Sequence, residues 1–353
     1  MRIRHALAAT VAGALTLGLA ACSSDKADSP TTQDTATSSS TNDTTADTSG
    51  FPIDIEHAFG TTTIDAQPER VATIAWGNQD VALALGIVPV GSDTQVWAWT
   101  GESDPGFYPW TTDAIAELGG DEPVIFSTTD GLDYEAISDT NPDVILASLS
   151  GLSEEEYQTL SEIAPVVAYP EIPWYTPWRD QILIDAKALG LEAEGKDLVA
   201  DLEQKIADAT SGAEAINGKT AAFFYMNPAD LSTISMYTGG DPRTAFLTDL
   251  GFEMPQVAVD ATESGSFYLD IAAENADQLA DIDVIVTYGN EDLLPALQAD
   301  PLWSTLPAVQ AGAVVAVGEG DAFSAAVTPT ALSIPWVLTD YVAQLNEAAA
   351  KVQ

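Results

Sequence analysis

Apolar residues gather in short runs rich in Val, Ile and Ala, and the stretches between them carry helical spacing. The first half predicts strands at Arg70–Trp76, Ile87–Val90, Asp143–Ala147 and Val166–Tyr169, with a helix from Asn78 to Leu85 between the first two. A further helix opens at Ser153, where a capping hydroxyl precedes Glu154, Glu155 and Glu156. The second half predicts a helix from Ala193 to Ala209, strands at Thr220–Met226, Ile234–Thr238, Asp283–Tyr288 and Ala313–Val317, and a closing helix from about Thr330 to Ala350. Strand, helix and strand in succession imply parallel sheets, so the fold class is α/β. Between the halves, Trp174 to Leu189 puts Ile182, Leu183, Ala186 and Leu189 on one helical face, with Pro177 near its start and Gly190 as a stop. We read it as an interlobe helix over 174–190, separating an N-terminal α/β lobe (51–173) from a C-terminal one (191–353).

A weak internal echo supports two lobes. Leu132-Asp-Tyr-Glu135 leads into Pro142-Asp-Val-Ile-Leu-Ala-Ser148, and Leu269-Asp-Ile271 leads through Glu274 into Asp281-Ile-Asp-Val-Ile-Val286. Lobes of similar βα design facing each other would set their strand ends around a shared cleft.

The N-terminus changes the picture. Arg2, Arg4 and His5 precede an apolar run from Ala6 to Ala20, closing on Leu19-Ala20-Ala21-Cys22. That run is too short to span a bilayer, which takes about 20 residues, and it reads as a lipoprotein signal peptide (1–21) with Cys22 as the lipidated first residue of the mature chain. Residues 22–50, almost entirely Ser, Thr, Asp and Ala after the cysteine, read as a disordered tether with a reach on the order of 30 Å. The expected location is the outer face of the cytoplasmic membrane.

Charge narrows the partners. The chain holds 11 basic and 54 acidic residues, a net charge of −43. Such a field repels phosphate backbones, which excludes nucleic acid, and favours neutral or cationic ligands; an acidic coat serving solubility explains the same composition. The sequence holds no Gly-x-Ser-x-Gly elbow, no phosphate-binding Gly-rich loop, no Cys-x-x-Cys and no His-Glu-x-x-His. His57 is the single histidine beyond the signal peptide, so a His-rich zinc or manganese site is not expected.

Pro68-Glu-Arg-Val-Ala-Thr-Ile-Ala-Trp-Gly-Asn-Gln-Asp-Val-Ala-Leu-Ala-Leu-Gly-Ile-Val-Pro-Val-Gly91 resembles the opening of the ferric-siderophore-binding proteins of ABC importers. So do Asn141-Pro-Asp-Val-Ile-Leu146, Ile163-Ala-Pro-Val-Val167, Pro177-Trp-Arg179, Phe246 to Phe252, and Asp300-Pro-Leu-Trp-Ser-Thr-Leu-Pro-Ala-Val-Gln-Ala-Gly312. The resemblance covers Ile53 to the C-terminus. It implies a class III substrate-binding protein: two Rossmann-like lobes joined by one long rigid α-helix, with the ligand in a groove between them. It further implies a monomer without a cofactor of its own, an Fe(III)-siderophore ligand, and an ABC permease with its ATPase as partners. In this family an acidic residue on each lobe docks on the permease, and the matching positions are Glu135 and Glu274.

For ligand contacts the residues themselves suggest Trp76, Trp97, Trp99 and Tyr108 on the first lobe, and Tyr225, Tyr237, Arg243, Phe267, Tyr268 and Tyr288 on the second. Aromatic walls suit a folded iron chelate with alkyl linkers outside and a few polar oxygens. Arg243 follows Gly239-Gly-Asp-Pro242 at a helix start, where it could donate to oxygens around iron; a surface ion pair with Asp241 or Asp249 is the other reading. Scarce cations favour hydroxamate or mixed chelates over ferric tris-catecholates. Haem or a corrinoid remains the alternative cargo, and an extracellular hydrolase the alternative class.

Overall fold

A computed structural model describes residues 50–95, 106–126, 131–263 and 265–352. Cys22, the signal peptide, and Trp97 and Trp99 lie outside the described residues. The compact unit Asp47–Gln353 contains two five-stranded sheets and one hairpin, β1 (Ile53–His57) with β2 (Gly60–Ile64), which turns on Gly60 at φ 126°.

The first sheet holds β3 (Val71–Thr73), β4 (Gly91–Asp93), β5 (Val124–Phe126), β6 (Val144–Ala147) and β7 (Val166–Ala168), all parallel in the order β5-β4-β3-β6-β7. Its strands are short, and β3, β6 and β7 are fully buried, as parallel strands covered on both faces require. Helices α1 (Asn78–Ala84), α2 (Pro109–Leu118), α3 (Tyr134–Asp139) and α4 (Glu154–Ser161) form its crossovers. At α4 the Ser153 hydroxyl accepts from the Glu156 N–H while Glu156 Oε2 accepts from the Ser153 N–H at 2.8 Å, a reciprocal capping box.

Two strand boundaries differ from expectation. β3 ends at Thr73, because Ala75 and Gly77 adopt left-handed φ values of 65° and 72° and turn the chain. The strand expected at Ile87–Val90 lies instead at Gly91–Asp93. The N–H groups of Gly86 and Ile87 are spent closing α1, donating to the Leu83 and Ala82 carbonyls at 2.9 Å, so pairing starts later.

The second sheet has the order β10-β9-β8-β11-β12, from β8 (Ala221–Asn227), β9 (Asp230–Tyr237), β10 (Tyr268–Ala272), β11 (Val284–Thr287) and β12 (Val314–Ala316). Here β8, β11 and β12 are parallel, while β9 runs antiparallel to both of its neighbours. The internal echo is structural. Asp143, before β6, accepts from the Glu69 and Arg70 N–H groups at 2.9 and 3.0 Å, and Asp283, before β11, accepts from the Thr220 N–H at 3.0 Å. In each sheet the aspartate staples a central strand to the start of its neighbour.

The fold is therefore α/β with two lobes. The segment between the sheets is a helical hairpin, made of the helices expected over 174–190 and over Ala193–Ala209. Helix α5 (Trp178–Ala188) ends at Gly190, φ 71°, and α6 (Glu192–Thr210) returns along it so closely that a Cβ on Gly195 would sit 2.4 Å from the Ala186 Cβ. Arg179 then clamps three elements. Its Nε donates to Glu203 of α6 at 2.6 Å, its Nη1 to Asp249 of α7 (Pro242–Asp249) at 2.9 Å, and it lies 4.2 Å over the Trp178 ring. Asp249 is thus committed to Arg179. One hydrophobic cluster runs from Val81, Trp110, Trp178 and Ile182 of the first half into the core beneath the second sheet, so the lobes share apolar packing.

Candidate ligand groove

Two cavities open where the loops of the sheets face each other, of about 300 and 350 Å³, and both are walled by Trp76 and Trp174. These two rings make the cavities neighbouring compartments of one groove. The first collects loops from the carboxyl ends of β3, β4 and β6, and the second collects Tyr237 at the end of β9 with the Asp241–Arg243 helix start.

Trp76 owes its position to a strained turn. The Ala75 N–H, at φ 65°, donates to Asp93 Oδ2 at 2.6 Å, the Trp76 N–H donates to the Leu149 carbonyl at 3.2 Å, and Asn78 Nδ2 ties back to the Ile74 carbonyl at 2.7 Å. Trp174 is held at φ 61° by a 2.9 Å bond from its N–H to the Ser150 carbonyl, with its indole against Gly151, where a Cβ would lie 2.2 Å from Nε1. Next to it, the Tyr175 ring fills the space a Cβ on Gly240 would need. From Trp76 a file of rings runs through Tyr108 (5.9 Å between centroids) and Trp110 (4.8 Å) to Trp336 (5.2 Å).

Arg243 dominates the second compartment. Its Nε and Nη2 donate to both carboxylate oxygens of Asp241 at 2.8 and 2.6 Å, its Nη1 donates to the Tyr288 hydroxyl at 3.1 Å, and the guanidinium lies 3.5 Å over the Tyr237 ring. Burial opposes its charge, but the Asp241 carboxylate together with Tyr288 and Tyr237 outweighs that, and the guanidinium is held well above its ordinary value. Nε, Nη1 and Nη2 each give one of the five N–H groups to these bonds. The ion pair with Asp241 is buried, not a surface contact: the side chains are 11% and 2% exposed.

Asp80 and Asp93 face the first compartment. Asp80 accepts from Trp110 Nε1 at 2.9 Å, Thr111 at 2.8 Å, Gln79 at 3.0 Å and Thr330 at 2.5 Å; burial pushes its carboxyl up and these donors hold it back. Asp93 has one engaged oxygen, and burial pushes it up to about 7.

Of the sequence-derived contacts, Trp76, Tyr108, Tyr237, Arg243 and Phe267 line the groove. Tyr288 stands behind Arg243 as its hydrogen-bond partner. Tyr225 and Tyr268 line neither cavity and are 44% and 42% exposed. The β8–β9 register carries Tyr225 toward the Asn227–Asp230 turn, and Tyr268 packs edge-on against Phe267. Sequence reasoning missed Trp174, assigned to the connector, and Asp80 and Asp93. Glu135 and Glu274 are each the second residue of a helix, α3 and a 3-10 helix Ala273–Leu279, and both are exposed.

A groove between two α/β lobes, walled by aromatic rings around a fixed arginine, defines a binding protein for a bulky small molecule. The sequence model described as periplasmic binding protein matches residues 71–319, and the chain belongs to that family. Among solved structures it is similar to PiaA of Streptococcus pneumoniae TIGR4 in complex with ferrichrome, 45% identical, covering 85% of this chain and 100% of that one, with a TM-score of 0.82. It is also similar to SirA of Staphylococcus aureus complexed with staphyloferrin B, 25% identical over 83% of this chain and 98% of that one, TM-score 0.66. Among curated proteins, the probable siderophore-binding lipoprotein YfiY of Bacillus subtilis (strain 168) is 25% identical over 269 residues, 73% of this chain and 78% of YfiY.

Proposed function

We propose that this protein is the extracytoplasmic substrate-binding lipoprotein of an ABC importer, anchored through Cys22, and that it captures a ferric siderophore of hydroxamate or mixed type. The observation that carries this reading is the single arginine held over Tyr237 at the groove wall. Arg243 is the one cation lining either cavity among the described residues, and Asp241 already neutralises it. It can donate to the chelate oxygens without providing the net positive charge a trianionic tris-catecholate would need. The flanking Trp76, Trp174 and Phe267 give the alkyl linkers an apolar surface. The 45% identity with a ferrichrome-bound structure supports the same class of cargo.

Haem fits less well. No histidine or methionine lines either cavity among the described residues, which leaves a haem iron only tyrosines as axial candidates. Catalysis has no visible carrier either: Ser150, in the first compartment, has no hydrogen-bonded base. Delivery to a permease and its ATPase would run through the exposed Glu135 and Glu274, one on each lobe, with the protein acting as a monomer.

The test is a tryptophan-fluorescence titration of the domain from Phe51 onward with ferric hydroxamates, ferric tris-catecholates, ferric citrate, haemin and cobalamin. Saturable quenching by hydroxamates at sub-micromolar concentration is expected. Tight binding of tris-catecholates or haemin, with no response to hydroxamates, would overturn the assignment.

A further inference from the structure

The first compartment has a chemistry of its own. Asp93 is 8% exposed, and its Oδ2 is held by the Ala75 N–H while its Oδ1 has no hydrogen-bond partner. Ser150 Oγ and Trp76 Nε1, from two other loops of the same wall, are also buried without partners. Unpaired buried polar atoms are costly, and two acceptors around one cavity, Asp93 Oδ1 and Ser150 Oγ, point to a guest that donates to them. The guest's polarity follows from the walls. Asp80 of α1, Asp93 of β4, Glu156 of α4 and the Tyr108 phenol are the titratable groups that line this compartment, and no Lys, Arg or His joins them. Asp80 is saturated by four donors and Glu156 spends its Oε2 on its capping box, so Asp93 is the buried carboxylate with an oxygen left over. The remaining surface is mostly apolar or aromatic, with Ile74, Leu132, Leu152, Trp76, Trp110 and Trp174, and its other polar side chains are the uncharged Gln79, Thr94, Gln95 and Thr330.

An acidic acceptor at the end of an apolar, ring-lined chamber suits a cation on a hydrocarbon stem, because the rings accept the cation on their faces and the stem fills the chamber. We propose that the first compartment is a subsite for an alkylammonium tail of the chelate, with Asp93 as its counter-ion and Ser150 as a second acceptor. This rests on the reading of the groove as a ferric hydroxamate site and names which members of that class the protein prefers. The groove is then bipolar, with Arg243 meeting the oxygens around iron and Asp93 meeting a cationic end.

Asp93 ionises near neutrality in the empty protein, so preference for the ammonium grows as pH rises through about 7. The probes are ferrioxamine B, a linear ferric trihydroxamate with a pendant primary ammonium, and its N-acetyl derivative, which lacks that charge. With the native sequence at pH 8, ferrioxamine B is expected to bind at least about tenfold tighter than the acetylated chelate, with a smaller ratio at pH 6; in Asp93→Asn the ratio collapses toward one. Equal binding of both chelates by the native protein at both pH values overturns the subsite and leaves the hydroxamate reading standing. A ratio unchanged in Asp93→Asn also overturns it. Failure of both chelates to bind overturns the hydroxamate reading, and the subsite with it. Should Asp93→Asn not fold, the native protein's ratio at the two pH values decides alone.

Discussion

Thr330 Oγ1 donates to Asp80 Oδ2 at 2.5 Å across 250 residues of sequence, tying the segment before the closing helix to α1 of the first lobe. Both residues are buried and both line the first compartment, so one hydrogen bond joins the lobes and shapes the groove. The Gly77 backbone passes so near that a Cβ would lie 2.7 Å from the Thr330 Cγ2. Thr330→Val keeps the shape and removes both the donor to Asp80 and the acceptor of the Ser333 N–H, which is expected to cost about 1–3 kcal/mol in urea unfolding. Asp80→Asn puts an amide among four donors and is expected to cost more; equal stability of both variants with the native protein would refute the lock.

Much of this fold was legible because parallel sheets write themselves as apolar runs between helices, and Asp-Val-Ile at residues 143–145 and 283–285 marked equivalent strands of both lobes. Asp93 was hidden for a definite reason. It ends a strand spelled Gly-Ser-Asp, which has no β propensity, and Gly91 is there because a Cβ would meet the Phe126 ring at 2.2 Å. Trp174 was hidden because its left-handed backbone and its seat on Gly151 are tertiary facts. Arg243 was legible through Gly-Gly-Asp-Pro, but its stacking on Tyr237 was not.

Gly151 tests the placement of Trp174. Alanine at that position must displace an indole that walls both compartments. Gly151→Ala is expected to weaken ferric hydroxamate binding about tenfold and to reduce fluorescence quenching, with the circular dichroism spectrum unchanged. Native affinity would show that Trp174 is not a wall of the bound site.

Asp185 predicts a pH dependence of stability. It lies fully buried in α5 with neither oxygen paired, and burial pushes its carboxyl well above the ordinary 3.8. Ser148 is adjacent, but its one O–H donates to Asn78 Oδ1 at 2.9 Å, so it can only accept, which suits a protonated Asp185. A carboxyl raised by folding contributes fully below its unfolded value and loses that contribution as pH rises toward the folded one. Asp185→Asn should therefore gain on the native protein from about pH 4 upward, by roughly 2–4 °C in Tm at pH 7. A Tm difference independent of pH would contradict a protonated Asp185.

Arg243 should not tolerate lysine. A lysine keeps the charge but loses the fork that grips both Asp241 oxygens and the flat face that rests on Tyr237. Arg243→Lys is expected to lower ferric hydroxamate affinity about 10- to 100-fold, and Arg243→Ala at least as much, by isothermal titration calorimetry. Lysine restoring native affinity would mean the site needs only a point charge there.

Glu135 and Glu274 let capture be tested apart from delivery. Each is the second residue of its helix, exposed, and lines neither cavity. A carboxylate in a helix's first turn is favoured by the positive end of that helix, so loss of either charge should cost only a few tenths of a kcal/mol of stability. Neither residue touches the groove, and ligand affinity should be unchanged in the Glu135→Ala, Glu274→Ala double variant. If the two carboxylates seat the lobes on basic pockets of the permease, cellular uptake of radiolabelled ferric chelate falls at least about tenfold while binding by the purified protein holds. Uptake at the native rate would remove both residues from the docking surface, and a parallel loss of affinity would place them in the groove's support instead.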